Sequence, residues 1–379
     1  MKILFSTSSL FPYRVNWLDE LGKYADLDVY YLMESDNARN KEWCLQRPQN
    51  CKYTLMKGKK IPGIGIVSFE FIRILKKHSS EYDAIILDGY GFLSQLLNIK
   101  YLNRHKISYY VNIDGMVPKD NENKVIYLIK KHIISHIPYC LCGAYATNKI
   151  LMDYGVNSEN IINHPFTSLY KSDIDQKITN IKEKENLREK LGMKEDKIVI
   201  SVGRFSYMNG YGKGYDVLLK SAQNMDSTTG WYIIGGKPTE EFAKMKKDMR
   251  LENVHFVEFL NKEELAQYYR ASDVFVLMTV GDVWGLVINE AMAHGLPVIT
   301  TNKCVAGLDL IENGKNGYIV NVGDDDTLSK KLEYIFAEPT LMENMGKESL
   351  KKISEYTIEN MANIHINAIK KIEAEKEKM

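Results

Sequence analysis

In the segment GDVWGLVINEAMAHGLPVIT, residues 281–300, two carboxylates stand with seven residues between them, Asp282 and Glu290. Between them Gly285 falls where the chain should enter a helix, and Leu286, Val287, Ile288, Ala291 and Met292 supply an apolar stripe. A glycine at a helix entry lets main-chain N–H groups approach a phosphate, and the helix dipole favours the negative charge. A carboxylate one to two turns further on can accept hydrogen bonds from the two hydroxyls of a ribose. A carboxylate on the entry loop can reach other hydroxyls. The bland alternative is a buried helix with solvated acids, but the co-occurrence of glycine, both acids and a following Gly-Leu-Pro-Val strand entry weighs against it.

A second constellation lies upstream in SVGRFSYMNGYGKGYDVLLKSAQ, residues 201–223. Here a strand should end at Gly203-Arg204, with a glycine-bearing loop, Lys213-Gly214 and an amphipathic helix behind it. Two fixed cations at such a point can hold a diphosphate and stabilise charge on a departing nucleoside diphosphate. A surface Arg and Lys on an ordinary loop is the competing reading. A third stretch, WYIIGGK at 231–237, ends a strand in Gly235-Gly236, which allows close ligand approach but is equally a tight turn.

The elements that must position these residues alternate along the chain. Strands are expected over 2–6, 28–33, 83–87, 107–112 and 138–142, and helices over 15–24, 66–78, 92–104, 122–136 and 144–153. The stretch 171–195 is highly charged and reads as a linker with an exposed helix. The alternation then restarts, with strands over 197–202, 231–235, 254–257, 273–278, 297–300 and 317–320. Helices are expected over 214–223, 239–250, 262–270, 286–294 and 326–336, and a last helix from about 357. This pattern predicts parallel sheets covered by helices, in two α/β domains with a ligand cleft between them.

Composition agrees with two domains, because 379 residues exceed what one core commonly supports. A net charge of +1 argues against a dedicated nucleic-acid binder. The first 170 residues carry an excess of Lys and Arg over Asp and Glu, and the remainder the reverse. That suits a phosphate-bearing or membrane-anchored substrate in the first half, with chance variation an even alternative. The five cysteines, Cys44, Cys51, Cys140, Cys142 and Cys304, form no Cys-x-x-Cys pair and fit a reduced, cytoplasmic chain with buried thiols. No stretch approaches the ~20 apolar residues of a membrane span.

Gly203-Arg204, Lys213-Gly214, Gly235-Gly236 and Asp282-x7-Glu290, in that order, resemble the retaining glycosyltransferase family 4 of the GT-B fold, which covers two Rossmann-like domains. The family usually carries Glu-x7-Glu and Phe before the glycine; here Asp282 and Trp284 stand instead, and Tyr207–Tyr211 lengthen the loop before Lys213. Phe11-Pro12-Tyr13-Arg14, Asn112-Ile113-Asp114-Gly115 and His164–Tyr170 resemble a bacterial cell-surface glycan branch. The resemblance implies an N-terminal acceptor-side domain over 1–170 and a donor-binding domain over 190–350. The helix after about 355 would return to the first. It implies Arg204 and Lys213 on the donor diphosphate, Glu290 on the ribose, Asp282 on sugar hydroxyls, and main chain at Gly285-Leu286-Val287, Gly203 and Gly235 against phosphates or sugar. Asp114 matches the place of a family histidine and would orient the donor sugar or acceptor hydroxyl; a plain Asp-Gly turn is an equal alternative.

The activity so implied is transfer of a sugar from a nucleoside-diphosphate sugar, a UDP-sugar favoured over a GDP-sugar, to a glycan or lipid-linked hydroxyl acceptor. Retention at the anomeric carbon, no cofactor and no metal are expected. A nucleotide-sugar epimerase or hydrolase, and an inactive sugar-nucleotide-binding subunit, stay open as rivals. Asp26-Leu27-Asp28, Asp173-Ile174-Asp175 and Asp324-Asp325-Asp326 match a metal-binding Asp-x-Asp pattern only in unrelated contexts. His294 is expected to serve near a helix end. Finally, 123–138 reads as an amphipathic helix with Lys124, Lys130 and Lys131, more readily packed on the core than laid on the inner face of a membrane.

Overall fold

The computed structural model describes all residues except 34–45, 64, 118–121, 377 and 379. Cys44 lies outside the described residues. The chain divides into two units, one of Met1–Tyr170 with Tyr356–Met379, the other of Lys171–Glu355.

The first unit runs β1 (Lys2–Ser9), α1 (Pro12–Gly22), β2 (Asp26–Met33), β3 (Lys52–Leu55), β4 (Lys59–Ile61), β5 (Gly65–Val67), α2 (Glu70–His78), β6 (Ala84–Asp88), α3 (Leu93–Arg104), β7 (Tyr110–Ile113), α4 (Lys124–Ile134), β8 (Tyr139–Cys142), α5 (Tyr145–Asp153) and β9 (Ile161–Asn163). Its parallel sheet has the order β3-β2-β1-β6-β7-β8-β9. Ile3, Leu4 and Phe5 of β1 are fully buried. A run apolar on both faces is what a central parallel strand requires. β4 and β5 form a separate antiparallel hairpin.

The second unit runs α6 (Ile181–Leu191), β10 (Lys197–Val202), α7 (Tyr215–Asn224), β11 (Thr229–Ile234), α8 (Glu240–Asp248), β12 (Val254–Val257), α9 (Lys262–Ala271), β13 (Val274–Leu277), α10 (Leu286–Ala293), β14 (Val298–Thr301), α11 (Val305–Leu310), β15 (Gly317–Val320), α12 (Asp325–Ala337) and α13 (Pro339–Ile353). Its parallel sheet has the order β12-β11-β10-β13-β14-β15. The last helix, α14 (Ile358–Lys376), packs on α1 within the first unit.

Both strand orders reverse direction beside the first strand of the sheet, between β1 and β6 and between β10 and β13. In open α/β sheets that switch point, at the carboxyl ends of the strands, is where connecting loops diverge and leave room for a ligand.

The charged stretch before β10 is not a free linker. Asn180 and Glu183 form a capping box that starts α6. Lys184 and Arg188 then reach Asp273 at 2.9 and 2.6 Å, and the same carboxylate accepts from the Ile198 N–H at 2.8 Å. The helix is exposed as expected, with no buried residue, but two of its charges staple it to the second unit.

The expected core packing of 123–138 holds for Ile133, Ile134 and Ile137 but not for the first half of the helix. Val125, Ile126, Leu128 and Ile129 are 64, 48, 61 and 56% exposed. Only Ile134 of α4 is buried, because Tyr127 and Ile133 occupy the inward side. Amphipathic spacing predicts a helix, but it cannot say which side the core will take. Cys140, Cys142 and Cys304 are buried as expected, while Cys51 is only half-buried.

Candidate active site

In the second unit the candidate residues gather at the switch point. Gly203 and Arg204 follow β10, and Asp282 follows the neighbouring β13. Lys213 Nζ lies 2.7 Å from Asp282 Oδ2, and the two side chains are 14 and 20% exposed. The ion pair thus joins the two loops in a half-screened place where a charged ligand could compete for either partner.

The lengthened loop before Lys213 is stitched down. Met208, Asn209 and Gly210 take left-handed backbone conformations, with φ of 48, 52 and 95°. Tyr207 donates to the Gly281 carbonyl at 3.2 Å, and the Val280 N–H donates to the Gly212 carbonyl at 3.2 Å. Thr279 donates to the same carbonyl at 2.8 Å. These bonds carry Lys213 to Asp282 despite the extra residues. Gly214 turns the chain into α7 at φ 71°, where a Cβ would meet the Met278 carbonyl oxygen at 2.0 Å.

The floor of the site is main chain. A Cβ on Gly235 would come within 2.1 Å of the Gly203 carbonyl oxygen, so these two glycines lie against each other. Gly285 sits at φ 106° immediately before α10, and a Cβ there would strike Cys304 Sγ at 2.8 Å. Leu286 and Val287 open α10 and are half-exposed, so their N–H groups belong to the unpaired first turn of a helix. Cys304 is no nucleophile: burial pushes its thiol up to about 12. Its role is packing, with Sγ donating to the Trp284 carbonyl at 3.1 Å.

Trp284 is buried, and its indole N–H donates to Asn289 Oδ1 at 2.8 Å. The Trp284 N–H points to Asp282 Oδ1 at 3.3 Å, and the Val305 N–H donates to the Asp282 carbonyl at 3.1 Å. Asp282 is therefore pinned from both sides, as a carboxylate that must aim at a ligand should be.

Glu290 lies half-buried on α10 and accepts from the Tyr269 hydroxyl of α9 at 3.2 Å. Burial, with Glu290 beside it, drives the Tyr269 pKa far up, so the phenol stays a donor. The Tyr269 ring stacks on His294, whose Nδ1 is 2.9 Å from Asp175, and Arg270 binds the same carboxylate at 2.6 Å. Burial alone would raise the Asp175 pKa; the bonds from His294 and Arg270 outweigh it and hold it at about 2. Thus His294 ends α10 and also braces the ring behind Glu290. Tyr269 carries no motif, and Asp175 stands only in a discounted Asp-x-Asp match, so neither is marked in the sequence as part of the site.

Asp114 belongs to the first unit, at the end of β7. It accepts from Arg14 at 2.9 and 3.1 Å and from Asn112 at 3.1 Å. Arg14 also reaches Asp88 at 3.0 Å, and Thr7 donates to Asp88 at 2.6 Å. Burial pushes the Asp114 carboxyl up, with the second carboxylate adding to it and Arg14 opposing. The Asp-Gly turn is thus also one end of a buried cation cluster. Arg14 lay in the quoted Phe-Pro-Tyr-Arg motif without a role; its partner is distant in sequence.

Residues 183–352 match the family described as glycosyl transferases group 1. An uncharacterized 41.2 kDa protein in the cps region of Klebsiella pneumoniae is 26% identical over 325 residues, 83% of this chain and 85% of that one. The capsular polysaccharide biosynthesis glycosyltransferase CapM of Staphylococcus aureus is 30% identical over 142 residues, 37% of this chain and 34% of CapM. The chain therefore spans most of the Klebsiella protein but about a third of CapM. Among solved structures, Anabaena Alr3699/HepE in complex with UDP aligns at TM-score 0.77 and 16% identity, covering 98% of this chain and 100% of that one.

The fold is GT-B, two parallel-sheet Rossmann-like units in one chain. The second unit carries a group 1 glycosyltransferase domain, and the protein is a glycosyltransferase.

Proposed function

We propose that this enzyme transfers a sugar from a nucleoside-diphosphate sugar, a UDP-sugar first among candidates, to a hydroxyl of a glycan or lipid-linked acceptor in the assembly of a bacterial surface polysaccharide. The observation that carries the reading is the Lys213–Asp282 pair beside the glycine-opened start of α10, with Glu290 held by Tyr269 further along the same helix. Relatives named for capsule and lipopolysaccharide core biosynthesis support the polysaccharide setting, and HepE structures with UDP and UDP-glucose support the donor class.

In this reading Arg204 and Lys213 hold the diphosphate, together with the N–H groups of Leu286 and Val287. Gly203, Gly235 and Gly285 allow the close approach. Glu290 accepts from ribose hydroxyls, and Asp282 from sugar hydroxyls. When a diphosphate arrives, Lys213 is shared between it and Asp282. Fixed cations then stabilise the charge that grows on the leaving group, without a metal or other cofactor. Asp114 orients the sugar or the acceptor hydroxyl. Transfer proceeds with retention, departure and attack taking place on one face. The domain at 1–170 serves the acceptor, and the protein works in the cytoplasm.

A calorimetric titration with UDP, GDP, ADP and their sugar conjugates, chelator present, tests the donor site. Saturable binding of one nucleotide, lost in Glu290→Ala, is expected. Failure of every nucleotide to bind, with magnesium or manganese and with acceptor lipid added in turn, defeats the reading. Retention is checked by assigning the anomeric configuration of the product; an inverted product ends that part of it.

A further inference from the structure

Helix α4 cannot turn its apolar side inward. Asn123 caps it, accepting from the Val125 and Ile126 N–H groups. Tyr127 donates to the Asp153 carbonyl at 3.1 Å and packs on Tyr154, and Lys130 binds Glu122 at 2.5 Å. These contacts fix the inward side as Tyr127, Lys130, Ile133 and Ile134. The outward side is Val125, Ile126, Leu128 and Ile129, all about half-exposed or more. Lys124 stands exposed at one end of this patch and Lys131 at the other.

Four neighbouring branched aliphatic side chains on the outside of one short helix are not ordinary surface. The adjoining helix α5 repeats the pattern: Tyr145 and Met152 are 65 and 45% exposed, and Lys149, between them on the same side of that helix, is exposed too. We propose that the outward face of α4 is a docking surface for an anionic phospholipid bilayer. Val125, Ile126, Leu128 and Ile129 enter the boundary between headgroups and acyl chains, and Lys124 and Lys131 meet the phosphates.

The charge pattern selects this occupant over a second copy of the chain. A two-fold pairing of α4 with itself would bring like lysines together along an apolar seam, which is repulsive. A bilayer accepts both parts at once, the aliphatic groups below and the lysines at the anionic surface. Glu122, just before the helix, is already neutralised by Lys130. No helix among the described residues is long and apolar enough to cross a membrane.

The test is flotation of the full chain with vesicles of phosphatidylcholine alone or mixed with phosphatidylglycerol. Recovery with the mixed vesicles, weaker recovery with phosphatidylcholine, and loss in high salt are expected. Leu128→Asp/Ile129→Asp should lower partitioning about 100-fold. Lys124→Gln/Lys131→Gln should lower it about 25-fold on the mixed vesicles and leave the weak phosphatidylcholine binding unchanged. All four positions are on the outside of the helix, so thermal unfolding and nucleotide titration should match the wild type. The proposal is overturned by no recovery of the wild type, by equal recovery of the variants, or by a wild-type dimer that the Leu128/Ile129 variant dissolves. Vesicle binding needs no donor, so loss of the donor reading would leave this result standing.

Discussion

Both units place a cation beside the strand ends at the reversal of a parallel sheet, but they surround it differently. In the first unit Arg14 is 4% exposed and serves two carboxylates, Asp88 and Asp114, with Asn112 and Thr7 completing the bonds. In the second, Lys213 meets one carboxylate, Asp282, and both remain partly open. The first cluster is closed around its cation on most sides and holds β1, β6 and β7 in register at their ends. The second can exchange a partner. On the proposed reading, the same position in the same architecture serves mainly cohesion around Arg14, with Asp114 still partly open to a substrate, and ligand chemistry around Lys213.

The sharpest way to break this contrast is to remove each cation in turn. Arg14→Ala leaves two buried carboxylates uncompensated and should cost about 3–5 kcal/mol of stability. Lys213→Ala should cost about 1 kcal/mol of stability, because Asp282 can still reach water. Turnover of the donor, however, should fall about 10²–10³-fold. Thermal unfolding and a donor-consumption assay on the two variants decide the matter. An Arg14 variant as stable as the wild type, or a Lys213 variant with full turnover, would reverse the assignment.

Acid offers a second separation. Burial lowers the His365 pKa from 6.5 to about 4 and depresses His164, which lies 4.2 Å away ring to ring, with Arg14 adding to the effect. A histidine whose folded pKa is depressed stabilises the fold while neutral. That stability is present above the unfolded value and is lost as pH falls from about 6.5 to about 4, roughly 3 kcal/mol from His365 alone. In the second unit Asp175 is depressed from 3.8 to about 2. Its contribution, about 2 kcal/mol, is present above about 4 and is lost only between about 4 and 2. Hydrogen exchange followed at pH 5 should therefore show amides of β1, β7 and α14 opening before those of β10, β13 and α10. His365→Phe should remove much of the first window. Simultaneous opening of both units at pH 5 would count against the difference.

The reading of the sequence places β10, β12 and β15 over the residues where they stand: β10 because a central parallel strand is apolar on both faces, the edge strands β12 and β15 because their short apolar runs are bounded by turns. It missed β3, whose Lys52-Tyr53-Thr54-Leu55 is exposed throughout, and the three-residue β9. It missed α11, of six residues, and α13, which opens on Pro339 in its first turn, where proline is welcome. The residue types of the candidate site were legible, since glycine and charge follow the strands. Their pairing was not. Nothing local joins Lys213 to Asp282, or Tyr269 to Glu290; those contacts exist only once β10 lies beside β13 and α9 beside α10. The same gap explains α4 and the 171–195 stretch, where the pattern was visible but the partner was not.

The smallest effect concerns that missing partner. Tyr269→Phe removes one hydrogen bond to Glu290 and keeps the buried ring against His294. If Tyr269 aims the carboxylate at ribose hydroxyls, nucleotide affinity should fall about fivefold, equivalent to about 1 kcal/mol. Glu290, released from the Tyr269 hydroxyl, would then be aimed less tightly, and the loss should appear in nucleoside binding as well as in diphosphate binding. Lys213→Ala should weaken only ligands that carry the diphosphate. Titrating uridine, UMP and UDP against both variants separates a ribose defect from a phosphate defect. Equal losses for all three ligands in Tyr269→Phe, with none for uridine in Lys213→Ala, place Glu290 on the ribose. A Tyr269 variant weakened only for UDP would instead put the carboxylate's influence on the phosphates and redraw the site along α10.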